Sequence, residues 1–276
     1  MTAADQARRP PSVERPRAPV LDEILAARRR HRRWFRGQFA LVWLVIIGTI
    51  GVFLWWAGRI SWDFIIGSGP YILQGAGYTV LVSVVAMIMA IFLAVLGALG
   101  RLSLNPIANG IATLYVSLVR GTPLLVQIYF IFYALPSAGI ILDAIPAGIL
   151  ALGFNYGAYM TEIFRAGIQA VPPGQREAAQ ALGMTERLTF RRIVLPQAVR
   201  IVIPAIGNDF IAMLKDSSLV SIIAIQELLW RATRVGRSER QVLAALAIAA
   251  LVYWILTIVF SYFQDRLERR MARGDR

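Results

Sequence analysis

The sequence contains no cysteine, which excludes disulfides and thiolate chemistry. Its one histidine, His31, sits among arginines and has no companion cluster of metal-ligand spacing. Metal and imidazole chemistry therefore have no candidate ligand or base. Lysine is just as scarce. A phosphate-cradling P-loop needs Gly-x4-Gly-Lys-Ser/Thr, so that backbone amides and the lysine hold the phosphates. The single lysine, Lys215, lacks a glycine-rich lead and is followed by Asp216, so any nucleotide hydrolysis belongs to another polypeptide. Charge is thin as well. Only 16% of residues are charged and 57% are hydrophobic, with mean hydropathy +0.59, a balance too apolar for an ordinary soluble domain.

What is present is a series of long apolar runs. Several approach the roughly 20 residues a helix needs to cross a hydrocarbon core about 30 Å thick. Phe39 to Ala57 carries no charge, and it is too long and too far from the start for a cleaved signal peptide. The chain reads as an all-α integral membrane protein. Its net charge of +13 collects beside these runs. Residues 1–37 hold ten arginines against Asp5, Glu14, Asp22 and Glu23, and Arg266, Arg269, Arg270, Arg273 and Arg276 follow Phe263. That placement fits membrane topology and attraction to anionic lipid, not nucleic-acid binding.

The pattern divides into an Arg-rich extension (1–37), a first span with an external loop (38–73), a transmembrane domain (74–263) and a basic tail (264–276). Val20, Leu21, Ile24 and Leu25 leave two readings of the extension open, a short interfacial helix over 20–36 or a solvated tail. About six spans are predicted, near 39–57, 75–100, 107–135, 144–166, 197–214 and 241–263. Arg120-Gly121-Thr122-Pro123 interrupts the third, since proline cannot continue the hydrogen-bond ladder. With both termini inside, the basic loops at Arg101 and 167–196 fall on the cytoplasmic side. Arg231, Arg234, Arg237 and Arg240 fall outside, as a basic patch suited to a partner's acidic surface.

The long cytoplasmic loop is the most informative segment. Ala178, Ala179, Ala181 and Leu182 share one helical face, with Arg176, Glu177 and Gln180 on the other. Gly183 suits the position that stops a helix at positive φ. Thr185 is placed to cap a second helix, and Pro196 to open the fifth span. From the residues alone this is either a knob for a partner's groove or an ordinary helical loop.

Glu177-Ala178-Ala179, three residues, Gly183, nine residues, then Ile193-x-Leu195-Pro196 resembles the signature loop of type I, binding-protein-dependent ABC importer permeases. Further segments are similar to the polar amino-acid branch, the histidine, glutamine, arginine and glutamate permeases. These are Gly77-Tyr78-Thr79, Arg120 through Gln127, Tyr156-Gly157-Ala158-Tyr159 with Glu162 and Arg165, Asn208-x-Phe210 and Lys215 through Leu219. The resemblance covers roughly 70–265 and implies the type I permease fold in a bacterial cytoplasmic (inner) membrane. It implies that 173–196 is a coupling loop docking into a separate ATPase, which binds the ATP and Mg; this chain takes no cofactor. It also implies a second permease subunit and an extracytoplasmic amino-acid-binding protein as partners.

Ionisable and polar groups within a membrane are functional candidates. Arg120, Thr122, Glu162, Asn208 and Asp209 are the candidates for a substrate path. Glu162 and Arg165 also read as a structural i,i+3 pair, and Lys215-Asp216 as an interfacial one. Gly97-x-x-Gly100 and Gly153-x3-Gly157 read as close helix contacts, and the tryptophans as an interfacial belt. Two rivals to the importer reading are an ion-gradient-coupled secondary transporter, which would carry repeated halves with midplane carboxylates, and a non-transporting membrane scaffold.

Overall fold

The computed structural model describes residues 18–58 and 61–272, and no strand occurs among them. The chain divides into two units, residues 1–57 and 58–276. In the first, α1 (Ala18–Gly58) is one continuous helix. The arginine-rich segment and the first apolar run are therefore a single rod, not a separate interfacial helix followed by a span. Phe35, Phe39 and Trp43 stack along it at i,i+4 spacing, with ring centroids 6.3 and 5.9 Å apart. Residues 1–17 of the extension lie outside the described residues.

The second unit opens with α2 (Trp62–Leu102), capped by the Ser61 hydroxyl, which accepts from Phe64 N–H at 3.2 Å. The external loop expected to reach residue 73 is thus replaced, from Trp62 on, by helix. The reason is a buried stripe that runs unbroken from Phe64 through Ser68, Ile72, Thr79, Ala86 and Ala94. At 41 residues α2 is about 61 Å long, roughly twice the hydrocarbon thickness.

The expected third span is bent through 107°. α3 (Pro106–Arg120) ends at Gly121, and α4 (Leu124–Tyr129) restarts after Pro123, running on through a π turn and a 3₁₀ turn to Ala138. α3, at about 22 Å, is too short to cross alone. α5 (Ala144–Gln169) follows, then α6 (Pro173–Ala181), α7 (Glu186–Thr189), α8 (Leu195–Asp216), α9 (Leu228–Ser238) and α10 (Val242–Ala272). α10 carries the last span nine residues into the expected basic tail, up to Ala272.

Four helical stretches, Ala26–Phe53, Trp62–Leu102, Glu186–Ile223 and Val242–Met271, are long and apolar enough to cross a membrane, and the bent pair makes a fifth. α5 has the length, about 39 Å, but not the uniform apolarity. It is the buried centre of the bundle, so protein and not lipid surrounds Asn155, Tyr156 and Thr161. Small residues let α2 and α5 approach closely. A Cβ at Gly157 would stand 2.7 Å from Tyr115 Oη and 2.9 Å from Leu93 Cβ, and one at Gly97 would collide with Thr161. A second core joins α2, α9 and α10 through Phe64, Ile72, Leu228, Ala245 and Ala249.

Candidate functional site

The loop after α5 folds into a short exposed knob. Pro173 occupies the first turn of α6, where its missing N–H costs nothing. The helix stops in a paired-hydrogen-bond arrangement: Met184 N–H donates to Ala179 O at 3.0 Å and Gly183 N–H to Gln180 O at 2.9 Å. Gly183 stands at φ +76°, the backbone state expected of it. Ala179 is the one buried residue of α6, at 3% exposure, while Glu177 and Ala178 are exposed and Leu182 is 82% exposed at the tip. Beneath the knob, Val171, Val194 and Ala198 form a small core, and Arg176 donates to Ile168 O at 3.2 Å.

The far side of the loop is continuous with the membrane. Thr185 takes the N-cap backbone conformation of α7, although its side chain makes no capping bond. α7 then passes through a π turn, Phe190–Val194, into α8 without leaving helical dihedrals. Ile193, Leu195 and Pro196 lie at that junction, with Val194 buried between them. α7, the π turn and α8 therefore make one helical rod, which the turn over residues 182–185 joins to α6.

The polar candidates do not form a single pocket. Glu162 bridges two arginines, with Oε1 3.1 Å from Arg101 Nε and Oε2 2.7 Å from Arg165 Nη2, which ties the end of α2 to α5. Asn208 Oδ1 accepts from Gln264 Nε2 of α10 at 3.0 Å. Thr122 belongs to the break itself: Gln127 Nε2 donates to Val119 O at 2.8 Å and to Thr122 O at 3.1 Å, while Asn155 Nδ2 donates to Gln127 Oε1 at 3.1 Å. The carbonyls freed by Pro123 are thus satisfied by a side chain, as a membrane interior requires. Arg120 and Asp209 have separate surroundings. The Arg120 guanidinium lies over the Tyr159 ring, 5.2 Å from its centroid. On α5, the Tyr156 hydroxyl donates to Asp216 Oδ2 at 2.8 Å. Asp209 Oδ2 is enclosed without a hydrogen-bond partner among the described residues.

Two residues escaped sequence reasoning. Glu227, at 0% exposure, accepts from Trp230 N–H at 2.7 Å, Tyr253 Oη at 2.5 Å and Thr79 Oγ1 at 3.4 Å, pinning α9 to α2 and α10. Arg231, read as part of an exposed patch, is buried at 8% exposure. It donates to Gln226 O, Tyr71 O and Gln74 Oε1, with the Tyr71 and Tyr78 rings 4.7 and 5.6 Å away. Long side chains on α9 gave no local signal for which would turn inward. Among the described residues no three His, Cys, Asp or Glu side chains converge as a metal site.

The described residues form a polytopic helical bundle with an exposed helical knob between two of its long helices. It belongs to the membrane transport components. The profile of the family described as "Binding-protein-dependent transport system inner membrane component" matches residues 87–273, and the chain belongs to that family. It is 41% identical over 216 residues to the L-cystine transport system permease protein TcyB of Bacillus subtilis, covering 78% of this chain and 92% of that protein. It is 34% identical over 215 residues to the glutamine transport system permease protein GlnP of Escherichia coli K12, covering 77% and 98%. The crystal structure of an amino acid ABC transporter with histidines superposes with TM-score 0.73 at 36% identity, over 76% of this chain and 99% of that one. The fold is therefore that of the type I ABC importer permease.

Proposed function

We propose that this chain is the transmembrane subunit of an ATP-binding-cassette importer that moves polar amino acids into the cytoplasm of a bacterial cell. The observation that carries the reading is the α6 knob, closed at Gly183 and joined by a short turn to α7, which continues through the π turn into α8. Relatives named for cystine, glutamine and arginine transport support the substrate class. Two such subunits form the path, and both termini face the cytoplasm. Each knob docks into an ATPase subunit, through Glu177, Ala178, Ala179, Gly183 and the Ile193, Leu195, Pro196 junction. ATP and Mg belong to that ATPase and no cofactor to this chain. An extracytoplasmic binding protein delivers the amino acid.

The mechanism is alternating access. ATP-driven closure of the ATPases moves the knobs, and the α7–α8 rod carries the displacement into the bundle. Two states of the bundle differ in which side the path opens to, and the nucleotide shifts the population between them. Arg120, which is exposed and lies over Tyr159, and Asp209, whose Oδ2 has no partner among the described residues, are the substrate-facing groups in this reading.

The test is co-purification in detergent with candidate amino-acid-importer ATPases, using wild type, Glu177→Ala and Gly183→Pro. Capture by wild type and loss in the normally inserted variants is expected. Capture of no ATPase by correctly inserted wild type would overturn the reading and put an ion-coupled carrier first.

A further inference from the structure

Outward-facing arginines run against the usual enrichment of Lys and Arg on the cytoplasmic side, so each needs a local reason. α8 supplies the frame. Its 22 residues extend about 33 Å from the knob junction, enough to cross the hydrocarbon, which sets α9 at the opposite surface. With the knob in the cytoplasm, as proposed above, α9 faces outward. Arg231 already has its reason, since its guanidinium is spent on the Tyr71 and Gln226 carbonyls, Gln74 and two tyrosine rings. Arg234 and Arg237 do not. Both are exposed, and among the described residues no carboxylate pairs with either.

They line a recess of about 520 Å³ with Ser221, Ile222, Trp230 and Thr233. The Arg234 guanidinium lies over the Trp230 ring, 5.0 Å from its centroid, a contact that uses its face and not its N–H donors. The nearby acids are committed elsewhere: Glu227 is enclosed by Tyr253, Thr79 and the α9 N-terminus, and Glu239 accepts from Ser68 Oγ at 2.7 Å. Glu227 and Arg231 also hold α9 rigidly against α2 and α10, so the recess is preformed. Two guanidinium groups beside an indole form a carboxylate receptor, because arginine's planar fork matches a carboxylate and interface anchors are enriched in Arg and Trp.

We infer that the Arg234–Arg237 recess is a docking site for an acidic side chain of the extracytoplasmic binding protein. The inference rests on the importer reading and names the contact through which the partner is seated. The occupant is a protein carboxylate, because the two guanidinium groups share one recess with the Trp230 indole and are not spread over a flat basic face.

The test uses the permease–ATPase complex in phosphatidylcholine nanodiscs with the purified binding protein. ATPase stimulation is measured against binding-protein concentration at about 50 mM and 500 mM salt. For Arg234→Glu/Arg237→Glu, the half-saturating concentration at low salt is expected to rise at least tenfold, with the plateau within twofold of wild type. Raising the salt should weaken wild type, tighten Arg234→Glu/Arg237→Glu by screening its repulsion, and move Arg234→Gln/Arg237→Gln little. Arg234→Gln/Arg237→Gln, which removes charge without reversing it, should fall between them. Half-saturation unchanged in both variants would overturn the site. So would half-saturation that follows added phosphatidylglycerol and ignores the substitutions, since that assigns the recess to lipid. No stimulation of wild type at any concentration would instead overturn the importer reading beneath it.

Discussion

Replacing Gly183 in turn by asparagine, alanine and valine isolates one physical quantity, the cost of a left-handed backbone at the end of the knob. Gly183 stands at φ +76°, and no atom lies within 4 Å of where a Cβ would go. Steric clash with neighbours therefore contributes nothing, and the backbone term remains. An L-residue in the left-handed region costs about 1–2 kcal/mol, with asparagine cheaper and β-branched residues dearer. If docking needs the closed end seen here, that cost appears in the affinity for the ATPase subunit. At 1.36 kcal/mol per factor of ten, alanine should weaken binding roughly 5- to 30-fold. Asparagine should lose less and valine more. The assay is titration of nanodisc-embedded permease with the purified ATPase subunit. Valine binding within twofold of wild type, or asparagine as damaging as valine, would refute the reasoning.

Three further predictions concern the bundle. Glu227→Ala strands the Tyr253 hydroxyl and the Trp230 N–H without their acceptor in a dry site, so a loss of about 3 kcal/mol or more in denaturant unfolding is expected. Glu227→Gln, which keeps the shape and an acceptor, should lose less than half of that. Glu162→Gln should cost about 1–2 kcal/mol, since its ion pairs with Arg101 and Arg165 are part-exposed and so partly screened. The ratio of rates among cationic, neutral and anionic amino acids should stay unchanged; a shifted ratio at intact stability would move Glu162 into the path. Gly157→Ala should destabilise by about 1–3 kcal/mol through overpacking. Tyr115→Phe should relieve it in part, because Tyr115 Oη is the nearest obstacle and Leu93 Cβ the next; strict additivity in the double mutant would contradict the seam.

Much of this could be read from residue spacing. The turn at Gly183, the break at Pro123 and the glycine contacts of α2 with α5 each follow from a local rule about backbone freedom or side-chain size. The type of each apolar span was equally legible, because hydropathy is a property of a window. What could not be read was set by residues far apart in the chain. The start of α2 at Trp62 depends on packing against α9 and α10, which a turn-rich stretch such as Gly67-Ser68-Gly69-Pro70 conceals. Arg231 turns inward because Tyr71, Gln74 and Tyr78 await it some 150 residues earlier, and Glu227 is buried because Thr79 and Tyr253 flank it. The α6 knob is a local motif. The polar interior is a tertiary one, so its candidates Glu162 and Asn208 are found joined to Arg101, Arg165 and Gln264, while Arg120 lies over Tyr159 of α5.

The most direct measurement is uptake of a panel of radiolabelled amino acids into proteoliposomes holding this chain, its ATPase and ATP inside, with binding protein outside. The account predicts accumulation of polar amino acids that needs lumenal ATP and survives collapse of the proton and sodium gradients. Accumulation that persists without ATP and vanishes with either gradient would contradict it.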